Sequence, residues 1–150
     1  GGGGVLKQLE SMGVRFVVDG ETVRARSNGP MPEEAKRLIL NNKNALREQV
    51  LARERLLHEY IARAVERAKK DGVAYVRSNV LGEQVAFVKD GLESRVKPGM
   101  VVYTLSELNG LMEASSTAWN MLHQAKKLFG GRVVAVKGKE GYNGTKPRSA

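Results

Sequence analysis

The chain has 150 residues, 41% of them hydrophobic, which is enough for one ordinary domain or two very small ones with packed cores. It has no cysteine, which excludes disulfide frameworks and thiolate metal sites and fits a reducing, cytoplasmic setting. The formal net charge of +9 is concentrated towards the C-terminus: residues 121–150 carry 7 basic groups against 1 acidic, whereas residues 71–120 carry 4 against 6. Such an end can meet phosphates or an acidic protein surface, or can serve solubility alone. No apolar run approaches the length of a membrane span, and the N-terminus lacks the basic-then-apolar order of a signal peptide.

Val5, Leu6, Leu9 and Met12 lie at helical spacing and predict a short amphipathic helix that Gly13 stops. The stretch "VRFVVDGETVRARS" then predicts a hairpin turning at Asp19-Gly20, a dipeptide that favours two-residue turns. That register sets Val18 against Glu21, Val17 against Thr22, Phe16 against Val23 and Arg15 against Arg24. One face (Val14, Phe16, Val18, Val23, Ala25) suits a core, and the other (Arg15, Val17, Thr22, Arg24, Arg26) is cationic.

"NGPMPEE" supplies loop chemistry, and Pro32, Glu33 and Glu34 predict a helix start, with Ala35, Leu38, Ile39 and Leu40 as its buried stripe. "NNKN" at Asn41 to Asn44 predicts a break or kink. From Ala45 a helix of about 26 residues runs to Lys70 before Asp71-Gly72, with Leu46, Val50, Leu57, Ile61, Ala64 and Ala68 on one stripe. The second half reads as strands "VAYVRS", "QVAFVK" and "MVVYT", then Thr104 and Glu107 at capping-box spacing, and a helix opened by Ser115 or Ser116. Ala118, Leu122, Ala125 and Phe129 mark the face of that helix expected to be buried. "RVVAV" reads as a last strand ahead of a flexible basic tail.

Catalytic chemistry is not legible. His58-Glu59 begins like a helical zinc motif, but Ala62 stands where the second histidine belongs. His123 lies beside an apolar helical face and reads as structural. The glycines of "GKEGYNG" have neither the strand nor the Gly-Lys-Ser/Thr of a phosphate loop. The expectation is a noncatalytic chain with no cofactor and no metal. Nucleic-acid binding through Lys126, Lys127, Arg132, Lys137 and Lys139 is one open reading. No aromatic stacking platform or helix-turn-helix spacing accompanies those cations.

The other reading starts from the hairpin. Like charges set opposite each other cost a hairpin a few tenths of a kcal/mol, roughly, a tolerable loss if that face meets an acidic segment laid on as an extra strand. "VLKQLESMG", "VRFVVDGETVRARS", "MPEEAKRLILNNK" and "NALREQVLA" together resemble the TubC-type N-terminal docking domains of nonribosomal peptide synthetases, over residues 5–52. The resemblance implies an αββαα unit, often dimeric, that receives a short C-terminal segment of a partner through its exposed hairpin strand and charged residues. Carried over by position, the matching surface is Val23 to Ser27, with Arg24 and Arg26 as the charge contacts and Arg15 adjacent. With Val17 and Thr22, which the hairpin face sets between the arginines, the expected partner-binding residues are Arg15, Val17, Thr22, Val23, Arg24 and Arg26. Nothing after Ala52 looks like a condensation, adenylation or carrier domain. The expected organisation is α+β: a docking unit over 5–52, a helical connector over 53–70, a small mixed sheet with two short helices over 71–137, and a tail over 138–150.

Overall fold

The computed structural model describes residues 2–129. Elements follow in the order α1 (Gly2–Ser11), β1 (Val14–Asp19), β2 (Thr22–Ser27), α2 (Glu33–Asn41), α3 (Lys43–Asp71), β3 (Val73–Arg77), β4 (Gln84–Val88), a 3-10 turn (Glu93–Arg95), β5 (Val102–Thr104), α4 (Leu105–Asn109) and α5 (Ser116–Leu128). This is an α+β chain in which one long helix stands in sequence between a hairpin and a small mixed sheet. It divides into two compact units, Gly1–Arg63 with Met112–Trp119 and Ala64–Leu111 with Asn120–Ala150, so both α3 and α5 run from one unit into the other.

In the first unit the turn that follows α1 passes through Gly13, whose φ of 89° only glycine adopts without strain. Leu6 and Leu9 of α1, Val14 of β1, Ala35 of α2, and Leu46 and Val50 of α3 form the buried centre. Phe16, Val18, Val23 and Ala25 pack against it from the hairpin, as the alternation of the strands requires. The helix break falls on Asn42: its N–H bonds to the Ile39 carbonyl, its side chain to the Leu38 carbonyl, and its own carbonyl accepts from Leu46. One residue thus closes α2 and opens α3. Leu40, expected inside, is 72% exposed, because Ala35, Leu38 and Ile39 already fill the inward arc of so short a helix.

The hairpin register differs from the sequence expectation by two residues. Asp19 pairs with Thr22, Val17 with Arg24 and Arg15 with Arg26, so Gly20 and Glu21 make the turn. Gly20 takes the positive φ, 64°, at the first turn position. A shift of two preserves which side chains share a face, because side chains alternate with period two. The opposed arginines are therefore Arg15 and Arg26.

In the second unit β3 and β4 are antiparallel, and β5 joins β4 in parallel, giving the order β3-β4-β5. Val76, Val85, Phe87, Tyr103, Leu108 and the α5 residues His123 and Lys126 are buried. The chain enters β3 through Gly72 at φ 90°, and a methyl group there would stand 2.7 Å from Arg95 Nη1 and 3.1 Å from Leu92 Cδ1. Gly91 has the same φ, 91°, with open space around it. Gly91→Ala is expected to cost about 1 kcal/mol of backbone strain, and Gly72→Ala the same strain plus a smaller amount for shifting the Arg95 guanidinium and the Leu92 side chain. Urea denaturation of the two variants measures the difference, which is the cost of displacing Arg95 and Leu92.

Candidate functional site at the basic hairpin

The alternation that buries Phe16, Val18, Val23 and Ala25 turns Arg15, Arg24 and Arg26 outward, and all three are exposed. Val17 is half-buried between them and Thr22 is exposed. The structure thus brings five of the six expected residues together on one face, with Val23 turned to the core side of the same strand. Asp19 shares the outer face, opposite Thr22.

The electrostatics follow from where the unit's carboxylates are used. Arg53 of α3 takes Glu10 of α1 in a two-pronged pair at 3.3 and 2.9 Å. Arg47 of α3 donates to the Glu21 carbonyl at 3.0 Å and lies 3.7 Å from the Glu21 carboxylate and 3.5 Å from that of Glu48. Glu33 holds Lys36. Glu54, buried on α3, accepts from the Ser116 N–H at 3.0 Å and the Ser116 hydroxyl at 2.5 Å. Among the described residues no carboxylate lies within ion-pair distance of Arg15, Arg24 or Arg26.

The backbone of β2 completes the surface. In a hairpin with a two-residue turn the residues flanking the turn exchange both hydrogen bonds, and bonded and non-bonded pairs then alternate. Thr22, Arg24 and Arg26 therefore use their backbone groups towards β1. Val23, Ala25 and Ser27 direct theirs to the outer margin, where no strand pairs with them among the described residues. Beside the turn a cleft of about 660 Å³ opens between Val18–Glu21 and the α3 residues Arg47, Leu51, Arg55 and His58. His58 donates through Nε2 to the Ala114 carbonyl at 2.8 Å, which fixes its ring. Neither this cleft nor the role of Glu54 is legible in the sequence, since both join positions far apart in the chain.

The second set of expected cations is placed differently. Lys126 is 1% exposed: its ammonium donates to the Val102 carbonyl and to Glu107 Oε2, each at 2.8 Å, and lies 4.7 Å from the centre of the Tyr103 ring. A buried cation needs such a partner, and one so held does not contact phosphates. This corrects its assignment as a phosphate contact. Lys127 lies 3.5 Å from Glu83 at the surface. Arg132, Lys137 and Lys139, with the "RVVAV" strand and the tail, lie outside the described residues.

The buried face of α5 is accordingly Trp119, His123 and Lys126, while Ala118 and Phe129 are exposed. Tyr103 donates its hydroxyl to His123 Nδ1 at 2.9 Å, and His123 Nε2–H donates to Glu83 at 2.7 Å, the tautomer that a carboxylate at Nε2 selects. Burial pushes the Tyr103 phenol well above its ordinary value, helped by the charges of Glu107 and Glu83. The hydrogen bond from His123 holds Glu83 below the ordinary carboxylate range against a smaller opposing effect of burial, and Lys127 adds to the lowering. Asp90 is likewise lowered by the hydroxyl and backbone N–H of Ser106. Tyr103, His123, Glu83, Lys126 and Glu107 thus form one hydrogen-bonded polar cluster, whereas Asp90 and Ser106 pair at the surface. Among the described residues no group of three or more metal-ligating side chains is placed to hold an ion, and no helix is long and apolar enough to cross a membrane.

Two outcomes follow from this network. Lys126→Ala leaves the Glu107 carboxylate facing a vacated site and is expected to cost about 3 kcal/mol in chemical denaturation. A carboxyl lowered in the folded state contributes stability above its unfolded value, about 4.3 for Glu, and loses it as pH falls through the folded value. Wild type is therefore expected to exceed Glu83→Gln in stability at neutral pH, and thermal melts should show the gap closing in acid as Glu83 protonates.

No family model matches the chain, and neither the curated proteins nor the solved structures contain a match to it.

Proposed function

We propose that the first unit is a noncatalytic docking module, which binds an acidic linear segment of a partner protein along the outer margin of β2. The observation that carries this reading is the coincidence, among the described residues, of an unpaired strand margin with three exposed arginines that have no carboxylate within ion-pair distance. Added strands gain affinity from main-chain hydrogen bonds and specificity from side chains at alternate positions. Here Val23, Ala25 and Ser27 offer the main-chain groups, and Arg24 and Arg26 stand beside them on the cationic face, with Arg15 directly across from Arg26. Carboxylates brought by the partner relieve the repulsion between Arg15 and Arg26 and gain charge-assisted contacts.

The element order α1-β1-β2-α2-α3 supports the same reading, since it is the αββαα order implied by the resemblance to TubC-type docking domains. Function drawn from such a likeness is analogy, and the weight rests on the hairpin itself. Burial of Lys126 removes one of the cations on which a nucleic-acid reading leaned, and no other described feature favours that reading.

Charge reversal tests the proposal. Arg24→Glu with Arg26→Glu turns two attractions into repulsions while leaving the buried face of the hairpin untouched. Affinity for an acidic peptide, measured by fluorescence anisotropy, is expected to fall roughly tenfold or more, with wild-type binding weakening as salt is raised. An unchanged affinity in a variant with native circular dichroism overturns the proposal.

A further inference from the structure

The chain holds three Asn-Gly pairs, at residues 28–29, 109–110 and 143–144, of which the last lies outside the described residues. Such a pair is reactive when its backbone is free. The glycine amide nitrogen attacks the side-chain carbonyl carbon of the asparagine, expels ammonia and closes a five-membered succinimide. Glycine favours the step because no Cβ crowds the nitrogen or restricts its dihedral angles. Water then opens the ring at either carbonyl to leave aspartate or isoaspartate, so an amide and a water become a carboxylate and an ammonium ion. The requirement is geometric: nitrogen and carbon must approach to about 3–3.5 Å in line for attack.

The two described pairs are both exposed and differ in how the backbone is held. Asn109 is the last residue of α4, and the Gly110 N–H donates to the Glu107 carbonyl at 3.1 Å while the Leu111 N–H donates to Leu108 at 2.9 Å. Turning the Gly110 nitrogen towards the Asn109 side chain therefore breaks the end of a helix that the Thr104–Glu107 capping box starts. Asn28-Gly29 follows directly on β2 and belongs to no helix or strand. The Gly29 N–H faces the Ser27 hydroxyl at 3.5 Å, long for a hydrogen bond, and nothing lies within 4 Å of where a Gly29 Cβ would stand. Among the described residues the Asn28 side-chain amide forms no hydrogen bond.

We propose that Asn28 is a site of spontaneous deamidation, from which Asn109 is protected by α4, and that the reaction sets a carboxylate beside the cationic margin of β2. Ser27 is still extended, so the Cα atoms of Arg26 and Asn28 stand about 7 Å apart. That is inside the screening length of about 8 Å at physiological salt. The acid formed at residue 28 gives the hairpin arginines a carboxylate of the chain's own and repels an acidic segment aligned on Val23, Ala25 and Ser27. The isoaspartate form also adds a methylene to the backbone directly after Ser27. The effect on the margin rests on the docking reading, whereas the reaction itself does not.

Peptide mapping by mass spectrometry follows the reaction on the full chain held in mildly alkaline buffer. In the native protein Asn28 is expected to convert roughly ten times faster than Asn109 or more, because only Asn109 waits on a local opening. In guanidinium chloride, where neither backbone is held, the two rates are expected to converge. Gly29→Ala is expected to suppress conversion at residue 28. Equal native rates, an Asn28 that stays an amide, or a difference that persists unchanged in denaturant overturns the inference. Binding reads the consequence separately: Asn28→Asp is expected to bind an acidic peptide about two- to threefold more weakly than wild type, with the gap narrowing as salt is raised. Unchanged affinity in Asn28→Asp overturns the effect on the margin, while docking still stands if Arg24→Glu with Arg26→Glu loses the peptide. A wild type that captures no acidic peptide overturns docking and that effect together, and the contrast between Asn28 and Asn109 is then decided by the mass spectra alone.

Discussion

Competition for carboxylates decides the character of the first unit. Arg47 and Arg53 project from the same long helix that supplies Leu46 and Val50 to the core, so their positions are set by burial rather than by charge. From there they take Glu21 and Glu10, the acidic groups of the hairpin turn and of α1. The hairpin arginines cannot turn inward, because Phe16, Val18, Val23 and Ala25 claim the inward face. A cationic hairpin face with no carboxylate within ion-pair distance among the described residues is therefore a consequence of the packing of α3.

The second unit resolves its buried charge in the opposite way. Lys126 and Glu107 satisfy each other, and each also meets an outward backbone group of β5. Glu107 has a further role as the partner of Thr104 in the capping box that starts α4. Three demands converge on one carboxylate: helix capping, neutralisation of a buried ammonium, and occupation of a strand edge. Polar groups so placed add specificity to the arrangement of α4, α5 and β5, since an apolar pair could fill the space but not meet the backbone.

Much of this fold is legible in the sequence where periodicity and local chemistry speak. The hairpin faces follow from alternation, the break at Asn42 from poor helix formers, and the start of α4 from the spacing of Thr104 and Glu107. The hairpin register does not follow, because alternation fixes parity and is indifferent to a shift of two, while Asp19-Gly20-Glu21 offers more than one turn. The buried face of α5 was obscured for a related reason. Apolar counting favours Ala118, Leu122, Ala125 and Phe129, whereas the sheet presents Tyr103, Glu107 and Glu83, which draw His123 and Lys126 inward. Glu54 is equally silent in the chain, since Ser116, which it binds, stands 62 residues away.

The proposed docking function requires the cationic margin of β2 to be open to an acidic strand. Amide hydrogen exchange by nuclear magnetic resonance, with and without a short acidic peptide, tests it most directly. Protection is expected to rise at Val23, Ala25 and Ser27, whose amides face outward, while Thr22, Arg24 and Arg26, already bonded to β1, change little. Bound peptide that leaves those three amides exchanging as before, or that protects a different surface, contradicts the account.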